Sequence, residues 1–167
     1  MLRPAAGFLT KLIIGTRPVW QGCDPSCKPL RVYFANHGSH LDFATLWAAL
    51  PSGARARTRT RSVAAADYSG KNRLTRGIAC GLFNALLIAR EGITRKDNPI
   101  VHLAKALRQG QSLILFPEGT RSLDGSIAEF KSGLWHVTAA VPEVELVPVY
   151  LQNLNRVLPK GCARLFM

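Results

Sequence analysis

Short apolar runs of strand length alternate along this chain with segments that carry helix signals. "LRVYFAN" (30–36), "ALLIAR" (85–90), "SLILF" (112–116) and "VELVPVYL" (144–151) read as strands, and "SVAAADY" (62–68) as a weaker one. Between them lie a segment from about His40 that stops before Pro51, and a stretch where Leu74, Ile78 and Leu82 repeat every four residues. A further helix is expected with Asn98 as its cap, Pro99 at its first position and Gly110 just past its end, and another near 131–140. Ile100, Leu103 and Leu107 give the Asn98-capped helix an apolar stripe. Pro148 inside the last strand implies an edge or a bulge there. Strands alternating with helices predict an α/β fold whose central sheet is mixed but mostly parallel, with helices flanking it.

In such sheets ligands gather beyond the carboxyl ends of the strands. Three groups stand at those ends: His37, Arg90 and the "PEGTR" turn at 117–121. A neutral imidazole accepts a proton from a hydroxyl near neutral pH, and a carboxylate on its other nitrogen fixes the tautomer. Asp42 supplies that carboxylate if the chain turns into a helix between the two. Ser39 to Asp42 also has the S-x-x-D form of a capping box, and the two readings are compatible, because Ser39 can begin the helix that carries Asp42. "FPEGTRS" (116–122) follows an apolar strand with a proline–glycine turn. Such a turn presents backbone amides, and Arg121 adds a planar donor suited to phosphate or carboxylate. Glu118 sits awkwardly in an anion site unless it orients an arginine or a substrate hydroxyl.

With 167 residues the chain suggests one domain, large enough to fold without a disulfide or metal staple. No apolar run reaches the ~18–20 residues of a spanning helix. The formal net charge of +12 favours anionic partners without choosing among nucleic acid, membrane and phosphorylated substrate. Arg55, Arg57, Arg59 and Arg61 recur at every second position, which fits a basic strand face or, preferentially, a solvated run. The four cysteines show no disulfide framework. Cys23, Cys27, His37 and His40 do not make a zinc set, because the histidine spacing is tighter than small zinc sites use. No metal site, P-loop, dinucleotide fingerprint or G-x-S-x-G elbow is present. Residues 1–29 form an N-terminal segment in which Phe8, Leu9, Leu12 and Ile13, near Arg3 and Lys11, fit either a membrane-interface helix or a helix packed on its own domain.

Taken in order, these segments resemble the glycerolipid acyltransferase superfamily, whose best-known members are the 1-acylglycerol-3-phosphate acyltransferases. "NHGSHLD" matches the histidine–aspartate block, "LLIAR" the strand ending in arginine, "FPEGTRS" the third block in full, and "VPV" around Pro148 the fourth. Ala89 departs from the polar residue many relatives carry before the arginine. The resemblance covers about residues 30–151 and implies an acyltransferase domain over 30–167, leaving open that it is C-terminally short. It implies transfer of an acyl group from a coenzyme A or acyl-carrier-protein thioester to a lysophospholipid hydroxyl, with His37 as base and Asp42 orienting it. By the same resemblance, Arg90, Glu118, Gly119, Thr120 and Arg121 bind the acceptor, while Pro148 belongs to acyl-donor binding or site architecture. No cofactor beyond the thioester is implied. The expected setting is cytoplasmic, peripheral at the inner face of an anionic membrane, with no nucleic-acid partner. A non-catalytic lipid-binding relative and a basic nucleic-acid-binding domain are the competing readings.

Overall fold

The computed structural model describes residues 15–24, 30–39, 41–65, 77, 80, 81, 83–89, 98–122, 126–152 and 164–167. Within them the strands are β1 (Arg17–Val19), β2 (Arg31–Ala35), β3 (Arg61–Ala65), β4 (Leu86–Ile88), β5 (Leu113–Leu115), β6 (Glu145–Gln152) and β7 (Arg164–Phe166). The helices are α1 (Asp42–Ala49), α2 (Ser52–Arg57), α3 (Pro99–Arg108) and α4 (Gly133–Ala140). The strands form one sheet in the order β1-β7-β6-β2-β5-β3-β4. All pairings are parallel except β6 with β7. The expected α/β architecture with a mixed, mostly parallel sheet is therefore what forms.

Period-two alternation sorts the strand residues between two cores. Tyr33 and Ala35 of β2, Ile114 of β5, and Val147, Val149 and Leu151 of β6 face α1, where Leu46, Trp47 and Leu50 cover them. Val32, Leu113 and Leu115 point the other way, under Leu103 and Leu107 of α3 and Val137 of α4. Helix α3 starts as its sequence dictates, with the Asn98 side chain accepting from Ile100 N at 2.9 Å and Pro99 at the first turn.

Two sequence expectations are corrected. The arginine run is not a uniformly solvated stretch. Arg55 lies in α2, half-buried, with its guanidinium 3.9 Å over the Trp47 ring and Nη1 donating to Trp47 O at 3.1 Å. Arg61 lies in β3 and donates to the carbonyls of Asn84 and Ala85 at 3.3 and 3.2 Å. Apolar and carbonyl surface was available to these two side chains, whereas Arg57 and Arg59 are exposed. The second correction concerns β6, which is neither the last strand nor an edge, since β2 and β7 flank it. Pro148 fits because backbone amides alternate in direction along a strand. Leu151 N points toward β2, reaching Asn36 Oδ1 at 2.7 Å, so the nitrogen of residue 148 faces the other side, where the registered pairs with β7 begin only at Tyr150. The missing donor thus breaks no ladder bond.

Residues 1–14 lie outside the described residues, as do Leu74, Ile78, Leu82, Cys27 and His40. Arg17–Val19 joins the sheet through β7, with Met167 N donating to Val19 O at 3.0 Å. Among the described residues no helix is long and apolar enough to cross a membrane.

Candidate active site

The site lies where the strand order changes direction. From β2 the chain builds β3, β4 and β5 to one side and then returns to place β6 on the other, which makes a crevice at the carboxyl end of β2. Phe34 pairs with Leu115 of β5, and Ala35 with Val149 of β6. The residues just beyond those ends must therefore meet. Asn36 bridges to β6, accepting from Leu151 N at 2.7 Å and donating to Leu151 O at 3.1 Å. His37 meets the turn after β5, its ring stacked on Phe116 with centroids 4.5 Å apart.

His37 Nδ1 lies 2.8 Å from Asp42 Oδ2, with the histidine side chain 19% exposed and the aspartate 1%. The same oxygen accepts from Gly38 N at 2.7 Å and Ser39 N at 2.8 Å. A carboxylate only accepts, so the neutral ring keeps its proton on Nδ1 and its lone pair on Nε2. Half of the capping box forms, and the helix begins after Leu41 instead of at Ser39. Asp42, in the first turn of α1, reaches back to the Ser39 amide, while Ser39 Oγ accepts only from Leu41 N at 3.2 Å. One carboxylate thus both closes the helix entrance and orients the imidazole.

The "FPEGTRS" segment wraps the backbone of His37. Gly119 N donates to Phe116 O at 3.0 Å, closing a β-turn with Pro117 at its second position, where proline is favoured. Gly119 adopts φ +71°, which glycine takes without a Cβ penalty. Glu118 is buried, accepting from His37 N at 2.8 Å through Oε1 and from Ala128 N at 3.1 Å through Oε2. On the far side of His37, its carbonyl accepts from Ser122 N at 2.8 Å. Among the described residues, Glu118 therefore orients two backbone amides. Thr120 is exposed and Arg121 half-buried on the same turn. Arg90 lies outside the described residues.

Pro148 lines an open apolar cavity of about 370 Å³ with Phe34, Ile127, Phe130, Tyr150 and Phe166, and Asn36, the neighbour of His37, is part of its wall. Sequence reasoning did not find this cavity. Its lining comes from β2, β6, β7 and the loop before α4, segments that no single motif joins. Among the described residues no cluster of histidine, cysteine or acidic side chains could hold a metal.

A histidine paired with a buried carboxylate, set at the switch point of a mostly parallel sheet, has the geometry a general base requires. The Acyltransferase family profile matches residues 27–152, and the chain belongs to that family. It is 31% identical over 157 residues, 93% of its length, to a 1-acyl-sn-glycerol-3-phosphate acyltransferase of Chlamydomonas reinhardtii, covering 42% of that protein. It is 29% identical over 137 residues to a chloroplastic enzyme of the same name from Arabidopsis thaliana, with 82% of this chain and 36% of the other covered. The human alpha form is 29% identical over 146 residues, with 86% and 48% covered. The chain thus spans well under two thirds of the length of these curated relatives. The crystal structure of the 1-acyl-sn-glycerophosphate acyltransferase PlsC from Thermotoga maritima superposes with a TM-score of 0.62 at 19% identity, over 96% of this chain and 65% of that one.

Proposed function

We propose that the chain transfers a fatty acyl group from an acyl-CoA or acyl-carrier-protein thioester to the free hydroxyl of a 1-acylglycerol 3-phosphate. The observation that carries this reading is the 2.8 Å contact from a partly open imidazole to a buried carboxylate. His37 Nε2 accepts the hydroxyl proton as the oxygen attacks the thioester carbonyl. The tetrahedral intermediate collapses with cleavage of the C–S bond, and the proton on Nε2 passes to the departing sulfur. An ester and a free thiol result. Asp42 touches only the base and the chain around it, so it holds the ring and stabilises the imidazolium. No acyl-enzyme is needed, because a thiol with a pKa of ~8.5 leaves far more readily than an alcohol.

Arg121, with Arg90, Gly119 and Thr120 by resemblance, anchors the acceptor. Glu118 acts one step back, by fixing the His37 amide. The apolar cavity beside Asn36 and Pro148 is suited to an acyl chain, since its volume lies within the range of small-molecule pockets. The net charge of +12 suits peripheral docking on an anionic membrane surface.

The test is an assay of labelled acyl-CoA and acyl-carrier protein against several lysophospholipids, with wild type and His37→Ala. Loss of the base should lower turnover by roughly 10²–10⁴-fold. Equal turnover by both proteins removes His37 from the mechanism.

A further inference from the structure

The side chain of Lys131 lies along the turn that follows β5. A Cβ built on Gly119 would stand 3.0 Å from Lys131 Nζ, 3.1 Å from its Cδ and 3.2 Å from its Cε. The exposed side chain is therefore laid over the glycine. Its backbone is fixed in the same place, since Lys131 N donates to Pro117 O at 2.9 Å. No carboxylate pairs with this ammonium among the described residues. The acid of the turn itself, Glu118, is buried and already satisfied by two backbone amides.

The turn that carries the amine also grips His37. Glu118 holds the histidine's amide, Ser122 its carbonyl, and Phe116 stacks on its ring. Ammonium and imidazole are thus mounted on one hydrogen-bonded unit. In a 1-acylglycerol 3-phosphate, two carbons and one ester oxygen separate the free hydroxyl oxygen from the phosphorus. With its hydroxyl on His37, the phosphate of such a molecule must fall on an adjoining part of the same cleft. We propose that Lys131 is a phosphate-anchoring residue, adding a point charge to the planar donor that Arg121 supplies from the same turn. The proposal rests on the acyl-transfer reading above. It also gives Gly119 a second role: besides adopting positive φ, it leaves the space in which the lysine lies.

The experiment compares wild type, Lys131→Ala and Lys131→Arg on a 1-acylglycerol 3-phosphate and on a 1-monoacylglycerol, which lacks the phosphate. Calorimetric binding of a short-chain 1-acylglycerol 3-phosphate runs in parallel. Lys131 is exposed, so the variants should fold, and circular dichroism checks this. Lys131→Ala should raise KM and Kd for the phosphate acceptor by about tenfold or more, with kcat within about threefold. Lys131→Arg should recover most of that loss, and added salt should narrow the gap. Turnover of the monoacylglycerol should be the same in all three proteins. An unchanged KM, or an equal loss on both acceptors, overturns the proposal while acyl transfer stands. Lysine-dependent binding of the phosphate acceptor without any acyl transfer would do the opposite, removing the proposed reaction and keeping the anchor.

Discussion

Replacing Asp42 with asparagine separates the charge of the dyad from its geometry. The three donors around Asp42 Oδ2 are His37 Nδ1 and the amides of Gly38 and Ser39. The two amides point at one spot, and an asparagine NH₂ turned toward them would set donors against donors. The amide oxygen of the Asp42→Asn side chain must therefore take the Oδ2 position and still accept from Nδ1. Its NH₂ then falls where Oδ1 stands, a buried atom with no hydrogen-bond partner of its own, so no existing bond is displaced. Orientation and tautomer survive, and what is lost is the negative charge beside the imidazolium. Unit charges about 4 Å apart interact by about 4 kcal/mol at an effective dielectric constant of about 20. The imidazole is 19% exposed, and solvent screening leaves about half of that, ~2 kcal/mol. That corresponds to roughly 30-fold in kcat, with about 10³-fold as the unscreened limit. Because Asp42 is 1% exposed and touches only the base and its loop, KM for the acceptor should stay within about twofold. The assay is steady-state acyl transfer over a range of acceptor concentrations, with the urea midpoint as a check on folding. An Asp42→Asn enzyme within about threefold of wild-type kcat, or one whose loss falls on KM alone, would refute the role given to the carboxylate.

Other substitutions probe the frame around the dyad. Glu118→Gln leaves one oxygen for two backbone donors and turns an NH₂ on the other, so it should cost about 1–3 kcal/mol in urea unfolding. It should also lower kcat more than it raises acceptor KM. Arg55→Ala removes the guanidinium over Trp47 and its bond to Trp47 O, for a loss of about 1–2 kcal/mol in the same measurement. Arg57→Ala, on the surface, should stay within about 0.5 kcal/mol, and anionic-vesicle cosedimentation should respond to joint loss of Arg57 and Arg59. Burial pushes the Tyr33 phenol above its ordinary value, although the neighbouring Arg31 guanidinium acts in the opposite direction. A raised folded-state pKa makes its stabilisation complete below about pH 10 and lost as pH rises through the folded value. The urea midpoint of Tyr33→Phe should therefore fall less between about pH 8 and pH 11 than that of wild type.

The strands β2, β5 and β6 and the helices α1, α3 and α4 were legible because each carries its own signal: an apolar run, an Asn-Pro start, a Gly stop. The three-residue strands β1 and β7 carry none. Arg17–Val19 is a strand only because Arg164–Phe166 lies beside it, and contacts between residues so far apart leave no trace in either stretch. The arginine run misleads for a related reason, since Trp47 gives Arg55 a ring to rest on and nothing local announces that.

The rim on which His37 and the "PEGTR" turn meet was legible, because a motif at the end of a parallel strand leads to the same place. Their division of labour was not. Glu118 and Asp42 are both carboxylates that follow strands, and both are 1% exposed. Asp42 gives one oxygen to the imidazole and to two amides, whereas Glu118 gives both oxygens to amides. Which donors converge on a carboxylate depends on how two loops fold against each other, and the spacing of letters does not encode that. The consequence for this candidate site is specific. Each of the two acids beside His37 is turned inward onto the imidazole or the backbone, and neither pairs with Lys131. A phosphate arriving at that ammonium therefore displaces neither of these two carboxylates.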